Sequence, residues 1–449
     1  MKNKTKFCKS ILYLSFISLF GCVPPLNYQS YMQENMGGNT SVEWQPGEIK
    51  ENINGEITVW CPSEDRSVTN EIVRRFKIEY PNVTVKVSEV AENKSKDQFL
   101  KDPAKAADVF AIVDNDIPTL AEAEYLFKIP NVEVPLGKKT INFSDKIKSE
   151  SLPWTITPMS YPFDGVNLYG FPQTADNGYL LMYNKSLINE NQVASLETIL
   201  EVAKTNNKQF MYDYKNGFYL PGAFLANGGH LQVEFKNNRF VQVCDFNDNN
   251  GVQAAERMKA IVNEYGSALY ASSDNGEIQT KFKDNSALGV ITGTWNVENV
   301  ERAIGSSNVG FARLPTININ ETPKTMGAFR GVKALVVKSS TTYPLAALAY
   351  SSFATNYDSQ YLRFIARQAG PSNIELTELK EVTDNKMLQA LTLSQQAETS
   401  VSQALATTPL FWDAMGALGT TIGNGNATWG VFPNSKAILD AIVAQMTTN

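Results

Sequence analysis

The chain reads as an α/β protein built in at least two lobes. Three observations carry that reading. Strand-like apolar runs alternate with segments of helical periodicity along the body of the sequence. The 449 residues exceed the size at which a single core stops growing. Glycine-punctuated stretches fall where strands end, which is where open α/β sheets bind their ligands.

The elements follow in order. Glu56 to Cys61 is a strand, Ser67 to Tyr80 places Val68, Ile72, Val73 and Phe76 at helical spacing, and Pro81 to Val87 alternates as a second strand. Asp108 to Val113 is a short apolar strand, with Ile117 to Glu124 as the helix after it. The alternation continues with strands at Leu180 to Tyr183, Ala287 to Thr292 and Ala334 to Val337. The helices between and after them are Leu196 to Lys204, Gly251 to Tyr265 and Tyr343 to Thr355. The last third is mainly helical, and no internal repeat is visible.

Composition narrows the function classes. The chain is 43% hydrophobic, 19% charged and formally −6, so it lacks the basic footprint that nucleic-acid binding needs. Four cysteines are present, and two of them, Cys8 and Cys22, lie in the first 22 residues. Cys61 and Cys244 each sit in an apolar strand-like run and are expected to be buried free thiols. No zinc-site spacing, Walker loop or nucleophile elbow appears, and no metal or cofactor is expected.

The N-terminus carries an address. Lys2, Lys4, Lys6 and Lys9 precede the apolar run Ile11 to Phe20, which is well short of the ~20 residues a spanning helix needs and reads as a secretory signal core. Leu19-Phe20-Gly21-Cys22 resembles a bacterial lipobox, with Phe20 where a small residue is usual. This implies cleavage before Cys22, acylation of its thiol and attachment to the extracytoplasmic membrane face. Residues 23–55, rich in Pro, Asn, Gly, Gln and Ser, read as a flexible tether in which Trp44 is the one residue placed to pack back.

Several ordered blocks then resemble the bacterial extracellular solute-binding proteins of ABC importers, in the group typified by maltose-binding protein. They are Ile57-Thr58-Val59-Trp60 followed by Tyr80-Pro81-Asn82-Val83-Thr84-Val85, then Ala107-Asp108-Val109-Phe110, then Leu168-Tyr169-Gly170-Phe171-Pro172 with Leu181-Met182-Tyr183-Asn184-Lys185. Leu225-Ala226-Asn227-Gly228-Gly229 and Val290-Ile291-Thr292-Gly293-Thr294-Trp295 complete the series. The resemblance covers about Glu56 to the C-terminus. It implies a two-lobed periplasmic-binding-protein-like fold, a ligand cleft between the lobes and several crossover strands. By position, lobe one takes 56–175 and 329–373, and lobe two takes 176–328 and 374–449. The implied function is capture of a carbohydrate, an oligosaccharide of maltodextrin type, by hinge closure, with delivery to the membrane permease by a monomer.

A sugar site needs flat aromatic platforms and paired polar groups. The resemblance places Trp295 and Trp412 as stacking residues, Glu64 and Asp65 after the first strand as polar contacts, and Asp176 or Asn177 at the lobe crossover. Asp114, Asn115 and Asp116 end the third strand and offer a further carboxylate or amide. Asn216 stands where the family has an acid, beside an aromatic platform at Phe218 or Tyr219, and Arg330 is a weaker candidate. The competing readings are core packing for the two tryptophans, a helix cap for Glu64 or Asp65, a solvated loop or cap for Asp114, Asn115 and Asp176, and a hinge ion pair for Arg330. Two other function classes stand beside the binder: a surface-anchored glycoside hydrolase, using a pair such as Glu64, Asp114 or Asp176, and an adhesin lipoprotein. The single histidine, His230, follows Gly228-Gly229 and suits a structural turn.

Overall fold

The structure is a computed structural model that describes residues 44–236, 239–396, 398–406, 409–424 and 429–447. The segments expected to be a secretory leader with Cys8, the expected lipid anchor Cys22 and the first part of the expected tether lie outside the described residues.

Ten strands form one hydrogen-bonded sheet. They are β1 (Gly55–Cys61), β2 (Val83–Glu89), β3 (Val109–Val113), β4 (Gly170–Asn184), β5 (Gln209–Met211), β6 (Leu269–Tyr270), β7 (Ala287–Gly293), β8 (Val309–Ala312), β9 (Phe329–Val337) and β10 (Val401–Ser402). Their order is β6-β5-β7-β4-β9-β3-β1-β2, with β8 added on β4 and β10 on β9. The β1, helix, β2 unit closes in parallel register from Gly55 opposite Val83 to Cys61 opposite Glu89. That register is what a right-handed helical crossover requires. The connecting helix, α1 (Arg66–Glu79), buries Val68, Ile72 and Phe76 on the face that the sequence spacing marks. All five residues of β3 are buried, as an apolar strand sandwiched between layers must be.

Two hydrophobic cores sit on the sheet. The first gathers β1, β2, β3, Phe171 and Val332 to Val337 with helix α2 (Pro344–Ala354) and Leu362. The second gathers Tyr179, Leu181, Tyr183 and the residues from Ile188 to Phe329. It also takes in helix α3 (Pro409–Gly423) and helix α4 (Ser435–Thr447). The chain therefore passes between cores three times: along β4, back along β9, and again between Leu362 and Ala406.

β4 is the element that sequence reading truncates. Only Leu180 to Tyr183 is apolar enough to stand out, yet the strand runs fifteen residues, all buried. Its first half pairs antiparallel with β9, from Gly170 opposite Val336 to Gly178 opposite Arg330. Its second half pairs with β7 and β8. One strand thus belongs to both cores.

The tether also ends earlier than composition suggests. Trp44 packs against the first core with the Arg75 guanidinium 5.3 Å over its ring. The Gly47 amide donates to Glu79 Oε1 at 2.7 Å, Lys50 Nζ donates to Glu79 Oε2 at 3.2 Å, and Ile53 is buried. A run poor in large apolar residues is docked by a few polar contacts, a pattern that composition does not record. Cys61 and Cys244 are free and buried, and burial pushes their thiols up to about 11 and about 12. Such thiols stay protonated and inert at neutral pH.

Candidate functional site

Three of the expected aromatic residues converge. Phe218 lies 6.2 Å from Trp295 and 6.0 Å from Trp412, ring centre to ring centre, and stacks on Phe329 at 5.9 Å. All but Phe329 are half-buried, so the bank presents ring area while its base is fixed in the second core. Local sequence explains the approach. A Cβ on Gly293, at the end of β7, would lie 2.0 Å from the Trp295 ring, so the glycine is what lets the indole fold across the strand end. A Cβ on Gly217 would lie 2.1 Å from the Trp412 carbonyl oxygen, so the Phe218 turn can reach the start of α3 only without a side chain there. Asn216 holds that turn, its Oδ1 accepting from the Phe218 amide at 2.9 Å. Tyr219 is a correction. It is buried in the second core, its hydroxyl hydrogen-bonded to Thr292, and it offers no free ring face.

The first core contributes charge. Glu64 is exposed just past β1. Asp65 occupies the N-cap position of α1, but its side chain makes no capping hydrogen bond. Its carboxylate pairs instead with Arg367 and, at 3.6 Å, with Arg363, both on helix Tyr357–Arg367. Burial pushes Asp65 up, but the two guanidinium groups outweigh it and hold the acid below the usual carboxylate range. Lys333 of β9 lies 3.4 Å from buried Glu92. Burial raises Glu92 despite Lys333, while Lys333 itself is held protonated by Glu92, Asp176 and Asp65 against the opposing pull of burial. The result is a nearly balanced ionic cluster at the carboxyl ends of β1 and β3, with Glu64 as its exposed member.

Three further candidates are buried, which corrects the reading of them as solvated loop residues. Asp114 is fully buried, and its Oδ2 accepts from the Val332 amide of β9 at 3.0 Å. Its Oδ1 has no partner among the described residues, and burial raises its pKa to about 8. Asp176 is an interior residue of β4. It accepts from Thr174 Oγ1 at 2.6 Å and from the Gly370 amide at 2.9 Å. Asn115 is buried and accepts from Gln403 Nε2 at 2.6 Å. Among the described residues Arg330 makes no hinge ion pair. Its guanidinium lies 5.8 Å over Trp154, an aromatic that sequence reading left aside. Gln403 was missed as well, because nothing local marks a lone amide in Ser402-Gln403-Ala404. His230 pairs with Asp245 at 2.8 Å across the mouth of a hairpin, as a structural turn residue does. Among the described residues no group of three or more His, Cys, Asp or Glu could hold a metal, and no helix is long and apolar enough to cross a membrane.

Residues 71–390 match the family of bacterial extracellular solute-binding proteins. The chain belongs to that family. This solute-binding protein is 25% identical over 350 residues to the galactooligosaccharide-binding protein of Bacillus subtilis, covering 75% of this chain and 77% of that one. Among solved structures it is similar to the ligand-free maltodextrin-binding protein MalE1 of L. casei, with TM-score 0.72 and 22% identity over 89% of this chain and all of the other. The maltose/maltodextrin-binding domain MalE of Bdellovibrio bacteriovorus, solved with maltotriose, gives TM-score 0.69 and 18% identity over 87% and 98% of the two chains. Membership in the family implies a place outside the cytoplasm, and the two-lobed fold is that of the matched structures.

Proposed function

We propose that this solute-binding protein captures a carbohydrate, an oligosaccharide of maltodextrin type, between its lobes and delivers it to the permease of an ABC importer. The observation that carries the reading is the aromatic bank Phe218, Trp295 and Trp412, fixed on the second core and complemented by the ionic cluster of Glu64 and Asp65 on the first. Apolar ring faces suit the apolar face of a pyranose, and carboxylates suit its hydroxyl rim. The relatives named for galactooligosaccharide and maltodextrin binding support the class of ligand. Lipid anchoring through Cys22 belongs to the same proposal. A Cys22→Ala chain is expected to leave the membrane fraction or to remain uncut, and equal labelling of both chains by a radioactive fatty acid would overturn the anchor.

The test of function is a melting screen against maltose, maltotriose, maltotetraose and galactobiose, followed by chromatography of the sugar. A binder raises the melting temperature by mass action and returns the sugar intact. A hydrolase returns shorter products, and no shift with any of the four would count against the ligand class.

A further inference from the structure

Where the strands that cross between the cores meet residues 401–405, three buried amide side chains bond in series. Asn177 of β4 donates from Nδ2 to Gln403 Oε1 at 2.6 Å, and Gln403 donates from Nε2 to Asn115 Oδ1 at 2.6 Å. The three side chains are buried, at 6%, 5% and 8% exposure, so each bond replaces water that cannot reach the groups. The backbone is shaped for it. Gly331 sits in β9 where the register with β4 slips, and a Cβ there would lie 2.4 Å from Gln403 Oε1. Residues 401–402 add to β9 beside Phe329 and Arg330, which brings Gln403 into line with both crossing strands. Asn115 precedes Ile117 of the first core, whereas Gln403 precedes Ala406 of the second. The Gln403 amide therefore joins residues carried by different cores.

We propose that Gln403 is a clasp across the hinge, tying Asn115 on the first lobe to Asn177 on the crossing strand and so setting how readily the lobes part. The proposal rests on the reading of this protein as a two-lobed binder whose lobes move. An opening rotation that carries Asn115 away from Gln403 breaks a bond inside a dry site, where an amide left without its partner is costly. The clasp holds the lobes in the arrangement described here before any ligand arrives, so its loss widens the ligand-free ensemble and makes the ligand do more of the closing.

The test uses the whole chain with three substitutions. Gln403→Ala removes both bonds. Gln403→Glu keeps the acceptor for Asn177 but removes the donor for Asn115. Gly331→Ala crowds the amide out with Gln403 unchanged. Without sugar, all three are expected to increase the radius of gyration by small-angle scattering and to speed amide exchange at residues 114–117 and 401–405, by about tenfold where one buried hydrogen bond is lost and by more in Gln403→Ala, which loses both. Calorimetric titration with maltotriose is expected to show weaker binding in Gln403→Ala and in Gly331→Ala. Exchange and scattering identical to wild type in Gln403→Ala and Gly331→Ala would overturn the clasp. Both readouts are taken without ligand, so absence of maltotriose binding in the wild type would count against the carbohydrate reading alone and leave the clasp to be decided by the other data.

Discussion

At the residue scale the site divides into rings that present a face and acids that do not. Trp295 is half-buried beside Gly293 and Phe218, so its indole is neither free nor sealed. Trp295→Ala is expected to weaken maltotriose binding by about tenfold or more. It should cost less stability than the ~3–5 kcal/mol that truncating a fully buried aromatic costs. Calorimetry beside denaturant unfolding checks this, and near-normal affinity with a large stability loss would return Trp295 to the core. Asp114 behaves differently. With its carboxyl raised to about 8 by burial, the folded chain holds a proton that the unfolded chain releases near pH 4. Folding stability contributed by this group therefore falls as pH rises from about 4 and levels off above about 8. Asp114→Asn lacks that slope, so relative to wild type it is expected to gain stability between pH 5 and pH 9 in urea unfolding. Parallel profiles for the two chains would mean the carboxylate is ionised throughout.

At the scale of elements, close approach is the controlling fact. Gly217 lets the Phe218 turn touch the start of α3, and Gly217→Ala would drive a methyl into the Trp412 carbonyl oxygen. Overpacking of this kind costs about 1–3 kcal/mol, and here it also shifts Phe218 away from Trp412. Lower stability with altered tryptophan fluorescence is the expected result, and an unchanged denaturation midpoint would refute it. What the sequence made legible follows the same physics. β1, β2, β3 and α1 were readable because their burial is written as apolar periodicity. The polar half of β4 was not, since Asp176 and Asn177 are satisfied by partners at Gly370 and Gln403, about two hundred residues away in the chain. The three rings that converge, Phe218, Trp295 and Trp412, stand out by residue type and place, while their contact with a ligand is part of the proposal. Asp65 resembled a helix cap, because its partner Arg367 lies 302 positions along the chain. Long-range partners decide which polar residues face a ligand, and a single sequence does not carry those pairings.

At the scale of the whole molecule, three passages of chain join two cores, and the rings and charges proposed to meet a sugar are divided between them. Glu64 and Asp65 follow β1 of the first core, Phe218 and Trp412 pack against the second, and Trp295 joins them through Phe218. A ligand that engages both sets gains from closure what it cannot gain from either lobe, so binding and compaction should be one event. Maltotriose at 100 times its dissociation constant is expected to stabilise the fold by about 2.7 kcal/mol and, at the same saturation, to reduce the radius of gyration. The two measurements separate the possibilities. A rise in melting temperature with constant dimensions would place the sugar on one lobe alone, and the divided site would be wrong even though the protein binds sugar. Compaction that saturates at the same sugar concentration as the melting shift would tie the aromatic bank and the ionic cluster to a single closed complex.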